Sequence, residues 1–134
     1  MNVPKRGPIV ELRVAITAAE YEQSLKFYCA GLGLAPEAEF SNEGGRATLL
    51  VLGQGTLEVF DEAQASAIDR IEVGRRVSGR IRLALEVPDL EQAVQRLLDH
   101  GATLVQGPVL TPWGDMNARF EDPDGTQVTL FQRA

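Results

Sequence analysis

The chain has 134 residues, 44% hydrophobic and 24% charged, with a net charge of −6 and a pI near 4.8. That size and balance predict one compact soluble domain. They argue against nucleic-acid binding, which concentrates positive charge against phosphates, and no apolar run approaches the roughly 18 residues of a membrane span. Cys29 is the one cysteine, which excludes an intramolecular disulfide. The N-terminus MNVPKRGPIVELRV has no apolar leader, so the expected location is the cytoplasm.

In chain order, RVAIT (13–17) reads as a strand, and Thr17-x-x-Glu20 reads as a capping box. A helix follows with Tyr21, Leu25 and Tyr28 at helical spacing and Phe27 beside them, and Gly31 and Gly33 mark its end. Cys29 sits in this helix as a small apolar residue. Extended segments are expected at about 35–40, 46–52 and 55–60, broken by Asn42-Glu43-Gly44-Gly45 and Gly53-Gln54-Gly55. Residues 61–76 read as a connector with a short helix near 62–69. The cluster Arg70, Arg75, Arg76, Arg80 and Arg82 reads as a solvated stretch running into the next strand.

RIRLALEV (80–87) is that strand. Asp89 and Gln92 open a second helix, Leu90, Val94, Leu97 and Leu98 form its stripe, and Gly101 ends it. His100, the single histidine, falls at the helix end. Further extended segments are expected at 103–106, 117–121 and 126–132. Gly107-Pro108 breaks the series, and Asp122-Pro123-Asp124-Gly125 supplies a hairpin turn. YEQSL (21–25) and LEQAV (90–94) stand 69 residues apart, and GTLEVF (55–60) matches GTQVTLF (125–131), so the chain contains itself twice. The halves, about 9–61 and 77–133, each read β-α-β-β-β.

Strand alternation sorts the faces. Leu12, Val14, Ile16, Leu57, Val59, Ile81, Leu83, Leu85, Val128 and Leu130 point one way, as a helix-covered face requires. The opposite set carries Arg13, Glu58, Phe60, Arg80, Arg82, Thr129 and Phe131. It is too polar for a sealed core and is expected to line a small-molecule cleft, with Phe60 and Phe131 at matching places in both copies.

The SLKFY helix (24–28) with GLGL (31–34), the strand TLEVF (56–60), and TPWG (111–114) before ARFEDPDGTQVTLFQ (118–132) carry a resemblance to the vicinal-oxygen-chelate superfamily over roughly residues 9–133. This superfamily includes glyoxalases, bleomycin-resistance proteins and dioxygenases. The resemblance implies an α+β fold in which two tandem βαβββ modules form a curved mixed sheet around a cleft, and it implies a homodimer. Metal-dependent members hold a divalent ion there, and their ligand positions fall on Arg13, Glu58, Arg80 and Thr129. Only Glu58 is a competent ligand, because guanidinium groups donate and repel a cation. Glu11 rescues one ligand if the register slips by two residues. The expectation is therefore no metal and no cofactor.

Arg13, Glu58 and Arg80 are then expected to converge, either as an ion-pair network standing in for the metal or as a site for an anionic ligand. Trp113 reads either as a packing anchor or, with Phe40, Phe60 and Phe131, as a wall for a planar molecule, with Met116 and Asn117 bordering it. The leading functional reading is a metal-free protein that sequesters a small aromatic or anionic compound, as antibiotic-binding relatives do. The alternative is a glyoxalase-like lyase, isomerase or dioxygenase with an atypical metal site, in which Glu58 acts as a base.

Overall fold

The computed structural model describes residues 7–32 and 34–134; the readings placed on residues 1–6 and on Gly33 lie outside them. The elements are β1 (Glu11–Thr17), α1 (Tyr21–Leu25) running into a π-helical turn (Lys26–Gly31), β2 (Pro36–Phe40), β3 (Ala47–Leu52), β4 (Gly55–Phe60), α2 (Glu62–Val73), β5 (Ile81–Glu86), α3 (Leu90–Asp99), β6 (Thr103–Leu110), β7 (Met116–Glu121) and β8 (Gln127–Gln132). The strands form one curved eight-stranded sheet in the order β2-β3-β4-β1-β5-β8-β7-β6. β1 pairs parallel with β4, β5 pairs parallel with β8, and β1 and β5 run antiparallel at the seam. The two halves thus mirror one another across that seam in an α+β fold.

α1 and α3 cover one face. Under α1, Ile16, Leu50, Leu57 and Val59 pack with Tyr21, and Leu25, Tyr28 and Cys29 close against them. Under α3, Ala118, Phe120 and Leu130 pack with Val87 and Leu90. Each fully buried aliphatic or aromatic side chain here stabilises the fold by roughly 1.5–3 kcal/mol.

α2 lies on the other face. Its Ala65 and Ile68 pack on Ala15, Ala47 and Phe60, with Phe40 beside them. Asp61 caps it by accepting from Gln64 N at 2.8 Å, and Gly74 ends it at φ +87°, a left-handed conformation that glycine adopts without a Cβ clash.

Three local expectations are corrected. Glu20 rather than Thr17 occupies the N-cap of α1, and no side chain caps that helix. β6 runs through Gly107-Pro108 to Leu110, because register shifts against β7 absorb a proline on this edge strand. The connector helix extends to Val73 instead of stopping near residue 69.

Candidate functional site

The uncovered part of the α2 face is a cleft of about 400 Å³. Strand register builds its floor. Ala15 stands between Glu58 on β4 and Arg82 on β5, and one row along, Ala84 stands between Arg13 on β1 and Thr129 on β8. Ala84 lines the cleft and leaves room that a larger side chain would fill, Ala15 packs under Ala65 and Ile68 of α2, and four polar residues surround the pair. Phe40, Phe60, Phe131 and Trp113 supply aromatic walls.

The two arginines are arranged alike. The Arg13 guanidinium lies 5.2 Å from the Phe131 ring centroid, and that of Arg82 lies 5.7 Å from the centroid of Phe60. Each half's first strand therefore contacts the closing-strand phenylalanine of the other half. Their partners differ. Arg13 Nε donates to Glu11 at 3.1 Å, whereas Arg82, only 6% exposed, donates from Nη1 to Thr129 Oγ1 at 2.9 Å and has no carboxylate within ion-pairing distance among the described residues. Its remaining N–H groups open onto the cleft, since Asn117 Oδ1 is the single buried side-chain oxygen or nitrogen without a partner among the described residues.

Glu58 is buried at the cleft wall, and among the described residues no side-chain hydrogen bond reaches its carboxyl. Burial pushes its pKa above the ordinary glutamate value, and the charges of Arg82 and Arg13 offset this only in part.

α2 forms a wall of the cleft, which sequence reasoning missed. At its N-terminal end Gln64 exchanges two 2.8 Å hydrogen bonds with Asn42, and a Cβ built on Gly45 would fall 2.1 Å from Gln64 N, so only glycine permits this approach. At its C-terminal end the fully buried Arg119 of β7 donates to Asp69 Oδ1 and Glu72 Oε1, both at 3.0 Å. Thr129 donates its hydroxyl proton to Glu72 Oε1 at 2.8 Å, and Asn117 Nδ2 donates to Glu72 Oε2 at 3.1 Å. Burial alone would raise Asp69, but hydrogen bonds from the Ser78 hydroxyl and the Ser78 and Val77 amides, with Arg119 beside them, hold it far below the usual carboxylate range.

Of the residues expected at the site, Arg13, Phe40, Glu58, Phe60, Arg82, Trp113, Asn117, Thr129 and Phe131 line the cleft. Arg80 does not. It precedes β5, is exposed, and lies outside the lining. The 69-residue offset that relates YEQSL to LEQAV carries Arg13 onto Arg82, and the shared contact with a closing-strand phenylalanine agrees. Glu58, Arg13 and Arg80 therefore form no triad, and Arg13 and Arg82 make no ion pair with Glu58. Trp113, 44% exposed on the turn closed by Gly114 N to Thr111 O, stands at the mouth. Met116 lies outside the lining. His100 caps α3 through Arg96 O, away from the cleft.

The residues at the ligand positions do not fit a divalent ion. Glu58 lies within the charge field of the Arg82 and Arg13 guanidinium groups, Thr129 has committed its hydroxyl, and Glu11 is engaged by Thr56, Arg13 and Arg133. Among the described residues no three His, Cys, Asp or Glu side chains cluster as an ion would need.

Comparison with known proteins agrees with this architecture. A probable lactoylglutathione lyase from a Synechocystis species is 28% identical over 125 residues, covering 90% of this chain and 93% of its own. The methylmalonyl-CoA epimerase of Mycobacterium tuberculosis superposes with a TM-score of 0.72 at 21% identity, covering 98% of this chain and 93% of its own. A superfamily member from Vibrio splendidus 12B01 superposes at 0.65 with 14% identity, covering 91% and 97%; these two likenesses speak to the fold. The family model for the glyoxalase/bleomycin resistance protein/dioxygenase superfamily matches residues 12–130, and the chain belongs to that superfamily.

Proposed function

We propose that the cleft binds a small planar molecule bearing an anionic group, without a divalent ion, and that the protein acts by sequestering it. The observation that carries this reading is Arg82: a buried guanidinium with no carboxylate partner among the described residues, its spare N–H groups facing an aromatic-walled cleft. A buried charge without a counter-ion is costly, and an anionic ligand supplies one through charge-assisted hydrogen bonds. Phe40, Phe60, Phe131 and Trp113 are placed to stack a ring. The proposal extends to a cytoplasmic homodimer, since β2 and β6 are open sheet edges that a second copy can protect.

The test is titration of Trp113 emission with aromatic carboxylates before and after exhaustive chelation, with elemental analysis of the same protein. Saturable quenching that chelation leaves unchanged is expected. Binding abolished by chelation and restored by one equivalent of metal would overturn the reading.

One observation favours a second reading. The Glu58 carboxyl makes no hydrogen bond among the described residues, and burial raises its pKa, as suits a base acting on a carbon acid. Superfamily relatives named as a lyase and an epimerase give that reading a chemical class. Turnover of a bound carbon acid that disappears in Glu58→Gln would select it.

A further inference from the structure

The floor of the cleft is electrically lopsided. Glu58 and Arg82 flank Ala15 in one row across three adjacent strands. At about 4.8 Å per strand, their Cα atoms stand roughly 10 Å apart. Neither makes an ion pair, with each other or with any other described residue, although both are buried and both line the same space. One end of the row therefore offers unused N–H donors, and the other offers an unused carboxyl. The pseudo-symmetric row does not repeat this, because Arg13 is engaged by Glu11, and the hydroxyl at Thr129, the counterpart of Glu58, is bonded to Glu72.

We infer that the ligand is bipolar: an aromatic acid whose anionic group meets Arg82 and whose opposite end carries an O–H or N–H donor that meets Glu58. This rests on the anion-binding reading above and narrows it to hydroxy- or amino-substituted aromatic acids. Phe60, over which the Arg82 guanidinium lies at 5.7 Å, and Phe40, whose ring centroid is 6.1 Å from that of Phe60 at 83°, wall the space that Arg82 and Glu58 share, so the ring that carries both groups packs against them. A ligand held this way has one orientation in a cleft that pseudo-symmetry would otherwise leave ambiguous.

The experiment uses the full chain and titration calorimetry. Para-hydroxybenzoate and a hydroxynaphthoate with acid and hydroxyl at opposite ends are compared with their fluoro counterparts, which keep size and lose the donor. Each pair is measured on wild type, Glu58→Leu, Glu58→Gln and Arg82→Met, with circular dichroism confirming folding. In wild type the hydroxyl should strengthen binding roughly tenfold, the scale of a hydrogen bond to a charged or buried acceptor. That preference should fall below about twofold in Glu58→Leu and be partly retained in Glu58→Gln, which still offers a carbonyl. Arg82→Met should weaken every acid by a similar factor. Equal affinity for hydroxy and fluoro acids in wild type, or a preference untouched by Glu58→Leu, overturns the bipolar ligand while leaving the anion site standing. No binding by any of the acids, or binding indifferent to Arg82→Met, overturns both.

Discussion

Arg82 and Thr129 meet at 2.9 Å, Nη1 to Oγ1, and the same hydroxyl gives its own proton to Glu72 of α2 at 2.8 Å. A hydroxyl has one proton to give. Because Glu72 takes it, Thr129 presents only lone pairs to Arg82, and the docked helix fixes the orientation of the arginine assigned to the ligand.

Thr129→Val keeps the shape and removes that link. Anionic ligands should weaken about three- to tenfold, and the fold should lose about 1–3 kcal/mol because buried partners are left unmet. Thr129→Ser should restore both. Calorimetric titration and chemical denaturation read the two effects separately.

Arg119→Met should be among the most destabilising single changes in the chain. It leaves Glu72 buried without its cation and Asp69 with Arg76 alone, a loss of roughly 3–5 kcal/mol. Adding Glu72→Gln should recover part of it, since that uncompensated charge is then gone. Additive losses in urea denaturation would mean that Arg119 and Glu72 are not coupled.

Gly45→Ala tests α2 as a wall without altering charge. The added methyl would lie 2.1 Å from Gln64 N, so the helix must shift. A loss of about 1–3 kcal/mol is expected, the scale of overpacking, together with faster amide exchange across residues 62–73. Unchanged exchange there would show that α2 does not bear on Gly45.

Glu58 gives a pH dependence of definite sign. Its pKa is raised in the folded protein, so the folded state binds the proton more tightly than the unfolded chain does. The associated stability is fully present below the unfolded value of 4.5 and is lost as pH rises through the folded pKa above it. Glu58→Gln should therefore gain stability relative to wild type as pH rises through that window, and the gap should stay constant below it. Thermal unfolding across the acid-to-neutral range checks this.

The face assignment was legible because strand alternation is local. Leu57 and Val59 went under α1, and Glu58 and Phe60 to the opposite face. The role of α2 was not, because its buried face mixes polar and small apolar residues. Gln64, Asp69 and Glu72 interrupt Ala65, Ala67, Ile68 and Val73, and their partners Asn42, Asn117 and Arg119 come from distant segments. A usable signal did exist, since Arg119 alternates onto the face opposite Ala118 and Phe120, where a lone arginine needs a carboxylate from elsewhere. The resemblance places the second half's first-strand position on Arg80, whereas the 69-residue repeat offset carries Arg13 onto Arg82. Pro108 looked like a break because an edge strand that tolerates proline cannot be told from a loop before the sheet order is known.

Arg82 is the residue proposed to receive the anion. Titration calorimetry of one aromatic carboxylate against wild type, Arg82→Met and Arg80→Met tests it in a single comparison. Arg82→Met should weaken binding by about 1.5–3 kcal/mol, the scale of a hydrogen bond to a charged group, and Arg80→Met should match wild type. Affinity lost in Arg80→Met and kept in Arg82→Met would take the anion site away from Arg82.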